Sequence, residues 1–293
     1  MRIFVTGGSG WIGSSVVPEL IGAGHEVLGL ARSDASARAV ATMGAEVVRG
    51  DLNDVDVLRA GALDSDGVIH LAFVVPSVTE AATRTDARAV ETFTTSLAGQ
   101  GKPLVISGAT LVTPGRPATE RDELIAAGPI AARIATMRAA LAAAGNGVRS
   151  CLVMLPRSVH GEGDRHGFIP QLIAVARTKG VSGYLGDGTS RWPAVHVQDA
   201  ARLYRLAVEQ APAGAVLNAV ADEGVPVREI AEAIGRHLNV PARSVPAAEY
   251  EGMFGRLLST DMPASSALTQ DLLGWKPTHP GLLEDIDQGH YFS

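Results

Sequence analysis

Thr6-Gly7-Gly8-Ser9-Gly10-Trp11-Ile12-Gly13 is the stretch on which the reading of this chain turns. It directly follows the apolar run Ile3-Phe4-Val5. It opens a stretch from Trp11 to Ile21 in which Ile12, Val16, Val17, Leu20 and Ile21 recur at helical spacing. Gly7, Gly10 and Gly13 therefore form a G-x-x-G-x-x-G turn between a strand and a helix. In that context the first two glycines let the backbone turn tightly and approach a diphosphate, and the third lets the helix lie close to the strand. The N-terminus of the helix offers free N–H groups and a positive dipole end to phosphate oxygens. The competing reading is an ordinary glycine-rich strand–turn–helix.

Apolar runs and helical patterns alternate outward from this turn. Strands are expected at His25–Leu30, Glu46–Arg49, Val68–Leu71, Lys102–Ile106 and Val148–Leu155, each preceded by a helix-compatible stretch. Repeated strand–helix–strand units require crossover connections, so the fold class is α/β, a doubly wound parallel sheet of the Rossmann type. The wholly apolar strand centres suit burial on both faces. After Leu155 glycine and proline become frequent, from Pro156 through Gly188, and helical stretches recur at Gln198–Gln210, Val227–Leu238 and Ala264–Leu273. The expected organisation is a nucleotide-binding domain over 1–155 and a smaller substrate lobe over 156–293, with a boundary interleaved with the sheet.

The end of the second strand, Leu28-Gly29-Leu30-Ala31-Arg32-Ser33-Asp34, addresses the cofactor. An acidic residue about 20 positions beyond the glycines binds a ribose 2′-hydroxyl and selects NAD, whereas a nearby arginine accommodates the 2′-phosphate of NADP. Arg32 and Ser33 come first, so NADP is preferred. Asp34 is the counterweight that keeps NAD open, although a Ser-Asp pair before a helix is also an ordinary cap. Asp51-Leu52, after the third strand, are candidates to contact adenine, with a turn or cap role as the alternative for Asp51.

Composition narrows the classes. Lysine and arginine number 25 against 31 aspartates and glutamates, a formal charge of −6, and aromatics are 4%. Nucleic-acid binding asks for a basic face and stacking platforms, and neither is indicated. With 46% hydrophobic residues the chain has the make-up of a globular protein. No apolar stretch approaches the roughly 20 residues that cross a bilayer, and Met1-Arg2-Ile3-Phe4-Val5 is too short for a signal-peptide core, so no membrane partner and a cytoplasmic location are expected. Cys151 is the only cysteine. No paired histidine spacing is present, and a metal site is not expected.

These residues resemble the short-chain dehydrogenase/reductase superfamily, on its extended or atypical, epimerase/dehydratase-like branch, and the likeness runs nearly end to end. Thr6 to Gly13 resembles that branch's nucleotide loop, Asp51-Leu52 its adenine-side contact, and His70-Leu71-Ala72 the H-L-A beside the cofactor. Arg157-Ser158-Val159-His160-Gly161 resembles its R-x-x-x-Y-G segment. Gly186-Asp187-Gly188 through Val195-His196-Val197-Gln198-Asp199-Ala200-Ala201 resembles its G-D-G…V-H-V-x-D-x-A stretch, and Leu217-Asn218 its late strand. The resemblance implies cofactor contacts from Thr6, Gly7, Gly10, Trp11, Ile12, Gly13, Arg32, Ser33, Asp51, Leu52, Leu71, Ala72, Pro156, Arg157 and Ser158. A homodimer paired through helices across the sheet is also in keeping with it.

The departures are as informative. Family catalysis rests on a tyrosine with a lysine four residues on, and Gly128 to Met137, where the pair should fall, contains neither. Pro129 stands near the tyrosine position and Arg133 near the lysine. Arginine supplies charge and hydrogen bonds but cannot release a proton at any useful pH. Ser107 and Thr110, in the strand-end segment Val105-Ile106-Ser107-Gly108-Ala109-Thr110, are candidates to donate to a substrate oxygen. Asp86 stands where the family carries an asparagine, and either relays protons or anchors Arg133. Taken alone, it reads as part of a solvated helix face. His160, at the family's tyrosine in the sixth-strand segment, is a candidate proton donor near neutral pH. Trp192-Pro193 form either a substrate wall or core, and Tyr204 reads as core.

The implied activity is an NADP(H)-dependent oxidoreductase acting on a small carbonyl, imine or activated alkene without the Tyr-Lys pair. A nucleotide-binding sensor that has lost turnover and a nucleotide-sugar epimerase-like enzyme are the alternatives.

Overall fold

The structure is a computed structural model that describes residues 1–73, 79–125, 130–250, 255 and 258–293. The first half alternates β1 (Arg2–Thr6), α1 (Gly13–Gly22), β2 (Glu26–Ala31), α2 (Asp34–Thr42), β3 (Glu46–Arg49), α3 (Val55–Leu63), β4 (Gly67–His70), α4 (Glu80–Ser96), β5 (Pro103–Ala109), α5 (Ala131–Ala142) and β6 (Arg149–Leu155). The second half contributes β7 (Ser158–His160), α6 (Phe168–Lys179), β8 (Ser182–Tyr184), β9 (Arg191–His196), α7 (Val197–Gln210), β10 (Ala215–Asn218), β11 (Asp222–Pro226), α8 (Val227–Leu238) and β12 (Ala242–Ser244), with short helices at Ala267–Leu273 and Leu282–Asp287.

Seven parallel strands form the main sheet in the order β10-β6-β5-β4-β1-β2-β3. The order reverses between β1 and β4, and it is at such a reversal that doubly wound sheets bind ligands, outside the carboxyl ends of the strands. Thr6 and Gly7 leave β1 at this point. β10 lies past residue 156 yet completes the sheet beside β6, and α7 packs on α1, so the chain returns to the first layer after entering the second.

A strand's two-residue period sends alternate side chains to opposite faces. Ile3 and Val5 of β1, Val105 of β5 and Cys151 and Val153 of β6 pack toward α1 and α7 with Val16, Leu20, Leu203 and Tyr204. Phe4, Val68, Leu104, Ile106, Leu152 and Met154 pack toward α3, α4 and α5 with Leu58, Val90, Phe93 and Met137. This parity fixes where every polar side chain at a strand's end is aimed.

The second lobe has its own core around Ile169, Trp192, Ile230, Ile234 and Leu282, under a three-stranded sheet β11-β9-β7 and a β8–β12 pair. Trp192 is fully buried there and is core rather than an exposed substrate wall. The buried carboxylate of Asp199 accepts hydrogen bonds from the backbone N–H groups of Thr278 and His279 and so clamps the C-terminal segment onto α7.

The glycine turn shows why these positions exclude side chains. Gly7 has φ +74°, and a Cβ there would sit 2.7 Å from the Ala72 amide nitrogen. A Cβ at Gly13 would sit 2.1 Å from the Gly7 carbonyl oxygen. Gly13→Ala is expected to lower folding stability by about 1–3 kcal/mol, because the backbone on both sides has no flexible group to yield. Urea denaturation measures this, and an unchanged midpoint would contradict the packing described.

Candidate active site

Strand parity and the helical period converge on one buried network. Thr6 ends β1 and His70 ends β4, and both face α4. On α4 the buried positions Thr83, Asp86, Ala89, Val90 and Phe93 recur every three or four residues, which places the Asp86 carboxylate in the middle of the buried stripe. Its side chain is 1% exposed, so Asp86 belongs to the interior and not to the solvated face that its neighbours Arg84, Thr85 and Arg88 suggest.

Asp86 Oδ1 lies 3.3 Å from His70 Nε2, and His70 Nδ1 lies 2.7 Å from Thr6 Oγ1. The Ala72 amide donates to Thr6 Oγ1 at 3.3 Å. Burial pushes the Asp86 carboxyl up, but the His70 hydrogen bond and the Arg133 charge outweigh it and hold the group below the usual carboxylate range. As an ionised carboxylate it only accepts, so His70 donates from Nε2 and Thr6 donates to Nδ1. The His70 ring also packs edge-on against Phe93, with centroids 5.5 Å apart.

The other oxygen, Asp86 Oδ2, pairs with Arg133 Nη1 on α5. Arg133 Nη2 donates to the Ser107 carbonyl, and the guanidinium lies over the Phe73 ring at 4.4 Å. Three elements therefore fix Arg133, and its 13% exposure leaves an edge open to the crevice. Pro129, near the family's tyrosine position, lies outside the described residues; the described stretch 130–137 holds neither tyrosine nor lysine.

The remaining candidates separate. Ser107 shares parity with Val105, so its hydroxyl turns to α7. There it meets Tyr204 Oη at 2.7 Å and donates to the His70 carbonyl at 3.3 Å. Its side chain is thus engaged in the core. Thr110 is buried beside the ends of β5 and β6, its amide donates to the Leu155 carbonyl at 2.8 Å, and among the described residues its hydroxyl has no hydrogen-bond partner.

His160 is fully buried in the second lobe, with Nδ1 2.9 Å from Asp285 Oδ2. That carboxylate also accepts from Tyr291 Oη, whose oxygen accepts the Gly161 amide. The imidazole is sealed from solvent and braces the β7 end, with Nε2 unpartnered among the described residues.

At the nucleotide side, Trp11 Nε1 donates to the Val159 carbonyl at 2.8 Å and joins the glycine turn to β7. No side chain caps the N-terminus of α1, so its first N–H groups are available to a ligand. Ile12 packs into the core as the α1 cap residue. Ser33 caps α2, its hydroxyl accepting the Ser36 amide at 3.1 Å. Asp34 pairs with Arg49 at 2.8 Å. Arg32 is exposed, and no partner for it is recorded among the described residues. Asp51 Oδ1 accepts the Asn53 amide at 2.6 Å, which is a turn role, while Leu52 packs against the α3–α4 core. Leu71 and Ala72 line the turn at Gly7. Pro156 and Ser158 are buried, whereas the Arg157 guanidinium turns into the second lobe beside Phe168, Trp192 and Met262.

Sequence reasoning placed His70 beside the cofactor through the H-L-A resemblance but did not join it to Asp86 and Thr6, and it missed the ring of Phe73. The signal for His70 was one polar residue ending an otherwise apolar strand, at the same parity as Val68.

Fold and site together define an α/β protein of the dinucleotide-binding type, with a polar crevice at the carboxyl ends of β1, β4, β5 and β6. The chain belongs to the NAD-dependent epimerase/dehydratase family, whose model matches residues 3–219, within the extended short-chain dehydrogenase/reductase superfamily. It is 45% identical over 298 residues to protein C2A9.02 of Schizosaccharomyces pombe, covering 100% of each chain. It is 30% identical over 226 residues to a 4-hydroxy-2-methyl-3-oxo-4-farnesyl-3,4-dihydroquinoline-1-oxide ketoreductase of Stigmatella aurantiaca, covering 74% of this chain and 67% of that one. Among solved structures, MoeE5 in complex with UDP-glucose and NAD superposes with a TM-score of 0.77 at 23% identity, covering 99% and 97% of the two chains. No helix among the described residues is long and apolar enough to cross a membrane.

Asp86 gives the site a pH signature. Its folded pKa lies below the unfolded carboxylate value of about 3.9, so the stability it contributes is complete above that value and is lost as pH falls through the lower folded pKa. Asp86→Asn is expected to cost about 3 kcal/mol at neutral pH, since it strands the Arg133 charge, and the gap to wild type should narrow below roughly pH 4. Urea midpoints at neutral and acid pH measure both. A gap of the same size at every pH would contradict an ionised Asp86.

Proposed function

We propose that this protein is an NADP(H)-dependent oxidoreductase that reduces or forms a small carbonyl, imine or activated alkene without a proton-transferring tyrosine. The observation that carries the proposal is the buried chain Ala72–Thr6–His70–Asp86–Arg133, which connects the nucleotide turn to a partly exposed guanidinium.

The residues present fit a pyridine dinucleotide. Gly7, Gly10 and Gly13 and the uncapped α1 N-terminus would hold the diphosphate, with Trp11 and Ile12 in the same turn. Leu71, Ala72, Pro156 and Ser158 would flank the nicotinamide side, and Asp51 and Leu52 the adenine side. Arg32 and the Ser33 hydroxyl would take the 2′-phosphate, because the nearby Asp34 carboxylate is directed to Arg49. When bound, the dihydronicotinamide supplies the hydride.

Arg133 holds a fixed positive charge beside the crevice, where it favours the oxygen or nitrogen on which negative charge develops. Its orientation costs no reorganisation, because Asp86, the Ser107 carbonyl and Phe73 already hold it. Thr110 offers the hydroxyl that donates to the same atom.

A second reading, a nucleotide sensor without turnover, is favoured by the absence of tyrosine and lysine from residues 130–137. The two readings differ in one assay, NADPH oxidation against a panel of small aldehydes, ketones, imines and enones. The enzyme consumes NADPH, and Arg133→Ala lowers kcat by roughly 100- to 1,000-fold. A sensor binds NADPH and consumes none. In the same assay Arg32→Ala is expected to raise KM for NADPH about tenfold, equivalent to ~1.4 kcal/mol, with KM for NADH unchanged. Equal effects on both cofactors would contradict the 2′-phosphate assignment.

A further inference from the structure

Arg157 follows β6 by two residues, next to Leu155, whose carbonyl accepts the Thr110 amide. Its backbone therefore stands at the carboxyl edge of the sheet, and its side chain turns from there into the second lobe. The guanidinium carbon lies 5.5 Å from the Phe168 ring centre and 5.8 Å from that of Trp192. Nη2 is directed at the Met262 thioether, a weak acceptor, and the buried Nε has no hydrogen-bond partner among the described residues.

Other arginines set into the protein behave differently. Arg133 has Asp86, Arg205 has Glu19 and Glu209, and Arg149 donates to the carbonyls of Val208 and Ala211. For Arg157, no carboxylate lies within ion-pair distance among the described residues. Burial lowers its pKa to about 10, which still leaves it charged at neutral pH. A charge withdrawn from water without a counter-ion destabilises the fold, and mutation ordinarily replaces it with an apolar group unless something else requires it.

We propose that Arg157 is the anchor for an anionic group on the substrate, a carboxylate or a phosphate, that reaches into the second lobe from the carboxyl end of β6. The planar guanidinium presents a fork of donors that matches either anion in two parallel hydrogen bonds. Phe168 and Trp192 hold the plane of that fork, so little side-chain freedom is lost when the anion arrives. The anchored group fixes the substrate's reducible carbon at a set distance from the strand ends. This makes the small carbonyl compound an acid or phosphoester, and the inference rests on the oxidoreductase reading of the same crevice.

The test is calorimetric titration of inorganic phosphate and of malonate into protein already saturated with NADP⁺, so that the nucleotide's own phosphate sites are filled. Wild type should bind at least one of the two saturably, and the tighter of them identifies the group. Arg157→Met should weaken that binding tenfold or more while leaving NADPH affinity unchanged. It should also raise the melting temperature by ~3 °C, because a buried charge with no carboxylate partner among the described residues is removed. Arg157→Lys should bind the anion with intermediate affinity. Equal anion binding by wild type and Arg157→Met, or none by either, overturns the proposal. So does a fall in melting temperature for Arg157→Met, which would make the guanidinium a structural brace between two rings. Retained NADPH binding in those outcomes leaves the oxidoreductase reading standing, whereas its loss from wild type would remove that reading first.

Discussion

The buried carboxylate of Asp86 is the interaction on which the crevice is built. It draws together the end of β4 through His70, the start of α5 through Arg133 and, one step further, the end of β1 through Thr6. A carboxylate 1% exposed is tolerable only because donors on both sides balance the lost hydration. The arrangement cannot relax piecemeal, since removing any one partner strands a charge or a polar atom in a dry interior. The glycine turn and the polar crevice are thus joined by one hydrogen-bonded chain, with the α4 stripe as its centre.

In the function proposed above, Arg133 stands near the position of the superfamily's lysine, and an arginine there changes what the site can do as well as how it is held. Lysine in this superfamily acts next to a tyrosine that gives up a proton. Arg133 is pinned in a plane by Asp86, the Ser107 carbonyl and the face of Phe73. That environment favours stabilising negative charge over shuttling protons. Tyr204 lies away from this crevice. It is fully buried, burial drives its phenol above the ordinary range, and its hydroxyl is paired with Ser107 on the far face of the sheet.

The main sheet was legible because parallel strands buried on both faces must be short apolar runs, and Ile3-Phe4-Val5, Val68-Ile69 and Leu104-Val105-Ile106 stand out between amphipathic helices. The glycine turn was legible because three glycines at that spacing, between a strand and a helix, allow a tight turn and a close helix–strand approach. The return of β10 to the sheet matched only a short Leu217-Asn218 run, and local patterning says little about which layer a strand joins. Ser107 and Gly108 differ by one position, and only the pairing register decides which of them faces α7. Asp86 was masked by Arg84, Thr85 and Arg88, though its spacing from Thr83, Ala89, Val90 and Phe93 is that of a buried stripe. His160 carried the right chemistry for a proton donor, but its partner Asp285 lies 125 residues away in sequence, and no local signal announces such a contact.

Calorimetric titration of the wild-type protein with NADPH, and separately with NADH, bears on all of this at once. Saturable binding of NADPH, tighter than NADH, is the result expected if the turn at residues 7–13 holds a diphosphate and Arg32 receives a phosphate. Absence of heat with both nucleotides, from protein shown to be folded, would mean that the glycines serve packing alone and that the polar chain behind them has no cofactor to serve.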